Sequence, residues 1–453
     1  MAGLAGPIYS FITDRCPQKV NRELLAPCQQ VTDIVIPVDL ILISTVVTVA
    51  LALLFDFTNG FHDAANATST VIATKSLTPR QAVILSAIFN FLPALVIGTA
   101  VANTISKTVS IDALPAAAGI VPVGIKVTLA ALLGAIFWNF LTWAFGMPSS
   151  SSHALIGGLI GAGIAAGGTQ AVSWGTVQKT AIAIFASPLI AFLIAYLASF
   201  LVKGIQKAFK LDEDHEFFRW GQVVSSAFVS WGHGTNDAQK TMGIIAATLY
   251  SGGYLIADDS SKLSPPTWVI FAAQIAIAIG TFYGGWRIIE TMGIRLTRIT
   301  RASGLAANLG AITSINGATH LGIPISTTHA AASSVIGSGV GSGHKVHFTT
   351  IRNMMVAWVF TLPSAAIVGA LVYKATALPG VIGGVVTAIL ISALLTYAVR
   401  LMVKADSADD IAARVDEEKE RLHLERLAAV LPTDAPDSVE ELVEEIFTDE
   451  DPK

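Results

Sequence analysis

The chain has 453 residues, of which 53% are apolar and only 13% charged, and its mean hydropathy is +0.64. A soluble domain carries roughly a quarter charged residues, so this balance excludes an ordinary aqueous fold and makes the lipid bilayer the solvent. The formal net charge is −4, and a nucleic acid is not an expected partner.

A polar N-terminal segment, 1–38, comes first. Cys16 and Cys28 lie in it, and one candidate pair defines no redox compartment. Asp14, Arg15, Lys19 and Arg22 break any signal-peptide pattern. The run from Leu40 to Leu54 has no charge and continues into "FDFTNGFHDAANATSTV", Phe55 to Val71. Asp56, His62 and Asp63 thus end an apolar span, where an ionisable side chain is expensive and by default handles an ion or a substrate. Asp56 precedes Asp63 by seven residues, so an unbroken helix sets both on one face. There Asp56 either lines the route inward or packs on a neighbour. Apolar runs follow at about 82–103, 124–147, 177–203, 223–249, 267–288, 302–322, 352–373 and 380–402. Each approaches the roughly 20 residues that span hydrocarbon, for nine crossings in all.

Two motifs recur. "GFHDAAN", Gly60 to Asn66, aligns without gaps with "GTNDAQK", Gly234 to Lys240, and sets Asp63 and Asp237 174 positions apart. "GMPSSSSHALIGGLIGAG", Gly146 to Gly163, aligns with "GIPISTTHAAASSVIGSG", Gly322 to Gly339, and sets His153 and His329 176 apart. Gly134 and Gly310 keep the same register. Two unrelated motifs at one period mean a duplicated half. A duplicated helical membrane protein whose halves each carry a polar, interrupted segment has the signature of a secondary transporter. Backbone that leaves the helix at membrane depth must line a cavity or be packed in protein. The Asp63 and Asp237 pair then reads as ion-handling rather than architectural.

In the second motif the proline suits the first turn of a helix and the hydroxyls its cap. The helix that follows is short and glycine-rich for a span, and it is read as re-entrant. A helix N-terminus offers free N–H groups and positive potential, which hold an oxyanion without a full positive charge. Ser150, Ser151 and Ser152 would meet Ser326, Thr327 and Thr328 around one tetrahedral oxyanion. His153 and His329 follow both runs and would brace the tips or sense the anion's charge; a metal site would need further ligands, and none is expected. An intramembrane hydrolase, with Ser151 or Ser152 as nucleophile and His153 as base, needs one differentiated site. The same motif twice suits wrapping a ligand, so the chain is not read as an enzyme; a passive anion channel is the other class considered. His233, matched by Asn59 in the first half, is read as making local hydrogen bonds, and Arg287 and Glu290, three apart, as pairing with each other.

"NGFHDAANATSTVIATKSL", "SWGHGTNDAQKTMG", "MPSSSSHALIG", "IPISTTH" and "GGWRIIETMG" together resemble the PiT inorganic phosphate transporter family, over about Asp39 to Lys404. The resemblance implies an all-α polytopic protein of the cell membrane, built from two inverted-topology repeats with broken helices and re-entrant helical hairpins. It implies phosphate symport with no bound cofactor, and a homodimer is compatible with it. By position it assigns coupling cations to Asp63, Asn66, Asn236 and Asp237, and phosphate to the two hydroxyl runs. The sequence departs from the sodium-coupled pattern of Asn-Asp followed by Asn. The first half has His62-Asp63 with Asn66, and the second has Asn236-Asp237 with Gln239 and Lys240. An imidazole for an amide oxygen, and an ammonium at the place matching Asn66, both favour a proton as coupling ion. The variant resembles the bacterial low-affinity proton-coupled branch, whose substrate is often a neutral divalent metal–phosphate complex. Sodium is the alternative ion and sulfate the runner-up substrate.

The expected organisation is a first transmembrane repeat at 39–203, a basic loop at 204–222, a second repeat at 223–404 and an acidic soluble tail at 405–453. Lys203, Lys207, Lys210 and Arg219 place the loop in the cytoplasm, whereas Lys75 and Arg80 oppose this for nine crossings. From Asp406 to Lys453 there are 17 acidic and 5 basic residues. "DIAARVDEEKERLHLERLAAVL" has helix-forming composition, and the end beyond Pro432 reads as solvated.

Overall fold

The computed structural model describes residues 26–96, 98–116, 119–258 and 262–430. Cys16 and the end of the acidic tail lie outside them. Fifteen α-helices account for most of the described chain, and no strand occurs among the described residues. The first half holds α1 (Ala26–Asp63), α2 (Ala65–Ala73), α3 (Pro79–Phe91), α4 (Ala100–Ser106), α5 (Val123–Ala144), α6 (Ser151–Gly167) and α7 (Trp174–Phe209). The second holds α8 (Glu216–Ser251), α9 (Thr267–Tyr283), α10 (Trp286–Gly293), α11 (Arg301–His320), α12 (Thr327–Ser342) and α13 (Phe348–Thr376). Then come α14 (Gly380–Val403) and α15 (Ala408–Val430).

Local chemistry sets the helix starts. Thr78 and Gln81 close a capping box with Pro79 in the first turn of α3, and Thr300 with Ser303 does the same for α11. Pro148 and Pro324 do not occupy first turns as the sequence suggested. Each precedes an extended serine, Ser150 or Ser326, whose side chain caps the helix behind it. The expected basic loop is mostly helix, because α7 runs on to Phe209 and α8 starts at Glu216. Lys210, with its left-handed φ of 57°, ends α7 and leaves a short acidic connection.

Among the described residues, five helices are long and apolar enough to cross a membrane: Leu40–Ala73, α5, α7, α13 and α14. Counting the bent pairs α3 with α4 and α9 with α10, the second bent by 70°, gives up to seven. The nine runs read from the sequence also included α8 and α11, which are long but polar. Every residue of α8 from Gly232 to Leu249 is buried, so this helix is sheathed by protein rather than lipid.

The two halves follow one plan. The long helices α7 and α13 each contain a proline, Pro188 and Pro363, and each packs along the short helix of the other half, α7 on α12 and α13 on α6. Matched glycines permit the approach: a Cβ at Gly161 would overlap the backbone of Ala366 on α13, and one at Gly337 that of Phe192 on α7.

The tail helix α15 is docked, not merely solvated. Its Ile411 and Val415 are buried in a cluster with Ile72, Ala82 and Ile289, and Asp409 and Asp416 pair with Arg80 and Lys75. Arg287 and Glu290 do not pair with each other. Arg287 binds Asp406 at 3.2 Å, while Glu290 takes Arg295 and Arg414, because the chain entering α15 and α15 itself bring Asp406 and Arg414 to this surface. Lys75 and Arg80 also share one face with the inter-half connection, since Arg219 Nε donates to Ser76 O at 3.2 Å. Their opposition to the other basic residues therefore disappears.

Candidate functional site

α1 ends at Asp63, and Thr68 Oγ1 donates to the carbonyl of Ala64 just beyond, at 2.8 Å. This break places His62 and Asp63 against the tips of α6 and α12. Both tips are built alike: Ser150 Oγ accepts from His153 N, and Ser326 Oγ from His329 N, each at 3.2 Å. These two expected phosphate ligands thus serve as N-caps, with their hydroxyl hydrogens still to give. The tips meet. The rings of His153 and His329 lie edge-on, 4.6 Å between centroids, and His329 stacks on Trp358 at 3.9 Å. Trp358 in turn donates to Pro148 O at 3.0 Å and ties the second-half tip to the first.

The two aspartates converge between the tips, and both are buried. Asp63 Oδ1 lies 2.7 Å from His62 Nδ1, and Asp237 Oδ1 accepts from Lys240 Nζ at 2.7 Å. One Thr327 hydroxyl serves both, 3.4 Å from Asp63 Oδ2 and 3.3 Å from Asp237 Oδ2. Ser151 Oγ reaches Asn59 Oδ1 at 2.6 Å and Asp63 Oδ2 at 3.4 Å, while Asn59 Nδ2 donates to Asp237 Oδ2 at 3.1 Å.

The matched residues Asn66 and Lys240 each cross to the opposite tip. Asn66 Nδ2 lies 3.4 Å from the hydroxyls of Thr327 and Thr328. Lys240 Nζ lies 2.5 Å from Ser152 Oγ and 3.0 Å from Ile325 O, to which Ser152 also donates. The hydroxyl runs and the Asp motifs, separate in the sequence, therefore form one network.

Three residues stand apart from that centre. Gln239 accepts from Val101 N at 2.9 Å and so anchors the start of α4. Asn236 is bonded to Thr319 Oγ1 at 2.9 Å, with its oxygen 3.5 Å from Ile325 N, and holds the approach to the α12 tip. Asp56 is wholly buried against Thr241 of α8.

Sequence reasoning gave His233 only local hydrogen bonds and did not reach the pair Thr142 and Ser149. Thr281 Oγ1 gives its hydrogen to Ile277 O and receives Asn90 Nδ2 at 2.7 Å, so Asn90 Oδ1 is an acceptor and His233 Nδ1 donates to it at 3.2 Å. His233 Nε2 then faces Asp63 Oδ2 at 3.9 Å and Asp237 Oδ2 at 3.7 Å. Asp63, His233 and Asp237 thus offer three ligand atoms within 4.8 Å of one another, a grouping the sequence did not suggest. Thr142 and Ser149, 2.7 Å apart, lie 3.4 Å from His62 Nε2. The one sequence signal for His233 was its alignment with Asn59.

The model of the phosphate transporter family matches residues 59–369. A probable low-affinity inorganic phosphate transporter of Rhizobium meliloti (strain 1021) is 46% identical over 336 residues, 72% of this chain and 95% of that protein. Another so described, from Bacillus subtilis (strain 168), is 44% identical over 338 residues, 74% of this chain and 98% of that protein. Among solved structures, the sodium-dependent phosphate transporter aligns with a TM-score of 0.63 at 24% identity, over 73% of this chain and 98% of its own. At that identity the likeness carries the fold.

Proposed function

The chain belongs to the phosphate transporter family, and from that premise we propose that it imports inorganic phosphate by proton symport. The observation that carries this reading is the nitrogen on each aspartate, His62 on Asp63 and Lys240 on Asp237. A sodium ion needs several oxygen ligands, and at each carboxylate a nitrogen already takes one oxygen. With Nζ of Lys240 and Nδ1 of His62 in those places, the site is poor in oxygen ligands for sodium, and the proton is the coupling ion that fits it better. Phosphate would lie between the tips, taking hydrogen bonds from Ser151, Ser152, Thr327 and Thr328 in place of their present partners, with the N–H groups of α6 and α12 behind them. The two halves would then stand as inverted repeats about this point.

The grouping of Asp63, His233 and Asp237 favours a second reading of the cargo, in which phosphate enters with a divalent metal held by two carboxylates and an imidazole.

The test is uptake of radiolabelled phosphate into proteoliposomes with proton and sodium gradients imposed separately. Proton symport requires uptake in sodium-free buffer that a protonophore abolishes. Uptake that needs sodium and ignores the protonophore at zero membrane potential overturns it. Phosphate uptake unchanged by removal of divalent metals rejects the second reading, and strong competition by sulfate would change the substrate.

A further inference from the structure

On the face that carries α15, a cavity of about 670 Å³ lies between that helix and the loops that enter α11 and leave α12. Its volume falls within the roughly 300–1,000 Å³ of small-molecule sites. The wall is divided in character. Ile294, Ile299 and Leu422 make one side apolar, while Arg298, Lys345, Lys419 and Arg421 set four basic side chains against the acidic Asp214 and Glu418.

The acids are engaged already: Asp214 Oδ1 accepts from Arg301 N at 3.2 Å and Glu418 from Arg421 at 2.9 Å. Arg298 is held by Glu213, and His344, also in the wall, by Arg298 O at 2.8 Å. Two ammonium groups are left. Lys345 is exposed and makes no ion pair among the described residues. Lys419 Nζ donates to Thr74 O at 3.2 Å. Burial lowers the pKa of Lys419 from its ordinary value, and Lys75 and Arg301 press the same way against Asp214 and Asp416. A desolvated ammonium beside other cations is relieved by an anion.

We propose that this cavity binds a phosphate-bearing anion with an apolar ring, of the nucleotide class, its phosphates on Lys345 and Lys419 and its ring on the apolar wall. The face is the one that carries Lys75, Arg80, Lys203 and Lys207, and the positive-inside rule gives it to the cytoplasm, where nucleotides are found. No residue of the transport site lines the cavity, and the proposal is independent of the coupling ion. An occupant joins α15 to the α11 and α12 loops. Because α15 also pairs with Lys75, Arg80 and Glu290, the bound ligand straps together the surface from α2 to α10.

The experiment uses the full chain in lipid nanodiscs, titrated with ATP, adenosine and inorganic phosphate by calorimetry. The expected result is saturable ATP binding, with adenosine and inorganic phosphate each at least tenfold weaker as competitors for bound ATP. Lys345→Glu with Lys419→Gln, which keeps a donor for Thr74 O, should weaken ATP at least tenfold, whereas Ser151→Ala should bind ATP like the wild type. Should the double variant misfold, Lys345→Gln at the exposed position is expected to weaken ATP severalfold. The proposal fails if ATP does not saturate at millimolar concentration, if the charge variants bind it undiminished, or if inorganic phosphate displaces bound ATP as effectively as ATP itself. The last outcome would mark a simple anion site in which the apolar wall is idle.

Discussion

Lys240→Met keeps the length of a side chain and deletes its charge. The ammonium is 1% exposed and holds Asp237 Oδ1 at 2.7 Å, Ser152 Oγ at 2.5 Å and Ile325 O at 3.0 Å. Removing one partner of a buried pair strands the other charge, at about 3–5 kcal/mol, whereas breaking an exposed pair costs about 0–1 kcal/mol. At roughly 2 °C per kcal/mol for a large domain, the variant should unfold about 6–10 °C below the wild type in a thermal-shift assay in detergent at neutral pH. Adding Asp237→Asn removes the stranded carboxylate, so the double variant should be more stable than Lys240→Met alone. A loss below about 2 °C, or a double variant no more stable than the single, would refute the reasoning: Asp237 would then not be the partner on which Lys240 depends.

Ser151→Ala and Thr327→Ala should each weaken phosphate binding in uptake assays by roughly ten- to 150-fold, since each deletes a donor to a charged oxygen at about 1.5–3 kcal/mol; normal uptake in either folded variant argues against the cradle. Asp63→Asn and Asp237→Asn keep shape and hydrogen bonding, so both should reach the membrane and lose accumulation against a gradient, and full concentrative uptake by either would make that carboxylate structural. His62→Asn should weaken the dependence of uptake on a proton gradient, read as initial rate against imposed pH difference, and an unaltered dependence would make His62 a spectator.

The duplication was legible because it is written in residue type and spacing, and Gly161 and Gly337 are matched because both helices must approach a backbone. The hydroxyl tips and the two aspartates were legible for a related reason: polar residues are rare in apolar sequence, so each stands out. The crossings were less so. Apolar run length measures length and hydropathy, and α8 satisfies the length while its partners are protein rather than lipid. Tertiary pairing was the least legible. Arg287 and Glu290 sit at helical spacing, yet Asp406 and Arg414, more than a hundred residues on, pair with them. Gln239, next to Lys240, points to α4 instead of the centre, since successive helix positions face about 100° apart.

The two halves match in architecture, yet around the paired carboxylates their side chains differ. Asn59 is matched by His233, His62 by Asn236 and Asn66 by Lys240, while Asp63 is matched by Asp237. At each of the three unlike positions one half supplies an amide and the other a nitrogen base. His62, His233 and Lys240 all touch or face the carboxylate pair. Three nitrogen bases therefore crowd the two carboxylates and leave few of their oxygens to a sodium ion, and that crowding is the physical argument behind the coupling proposed above.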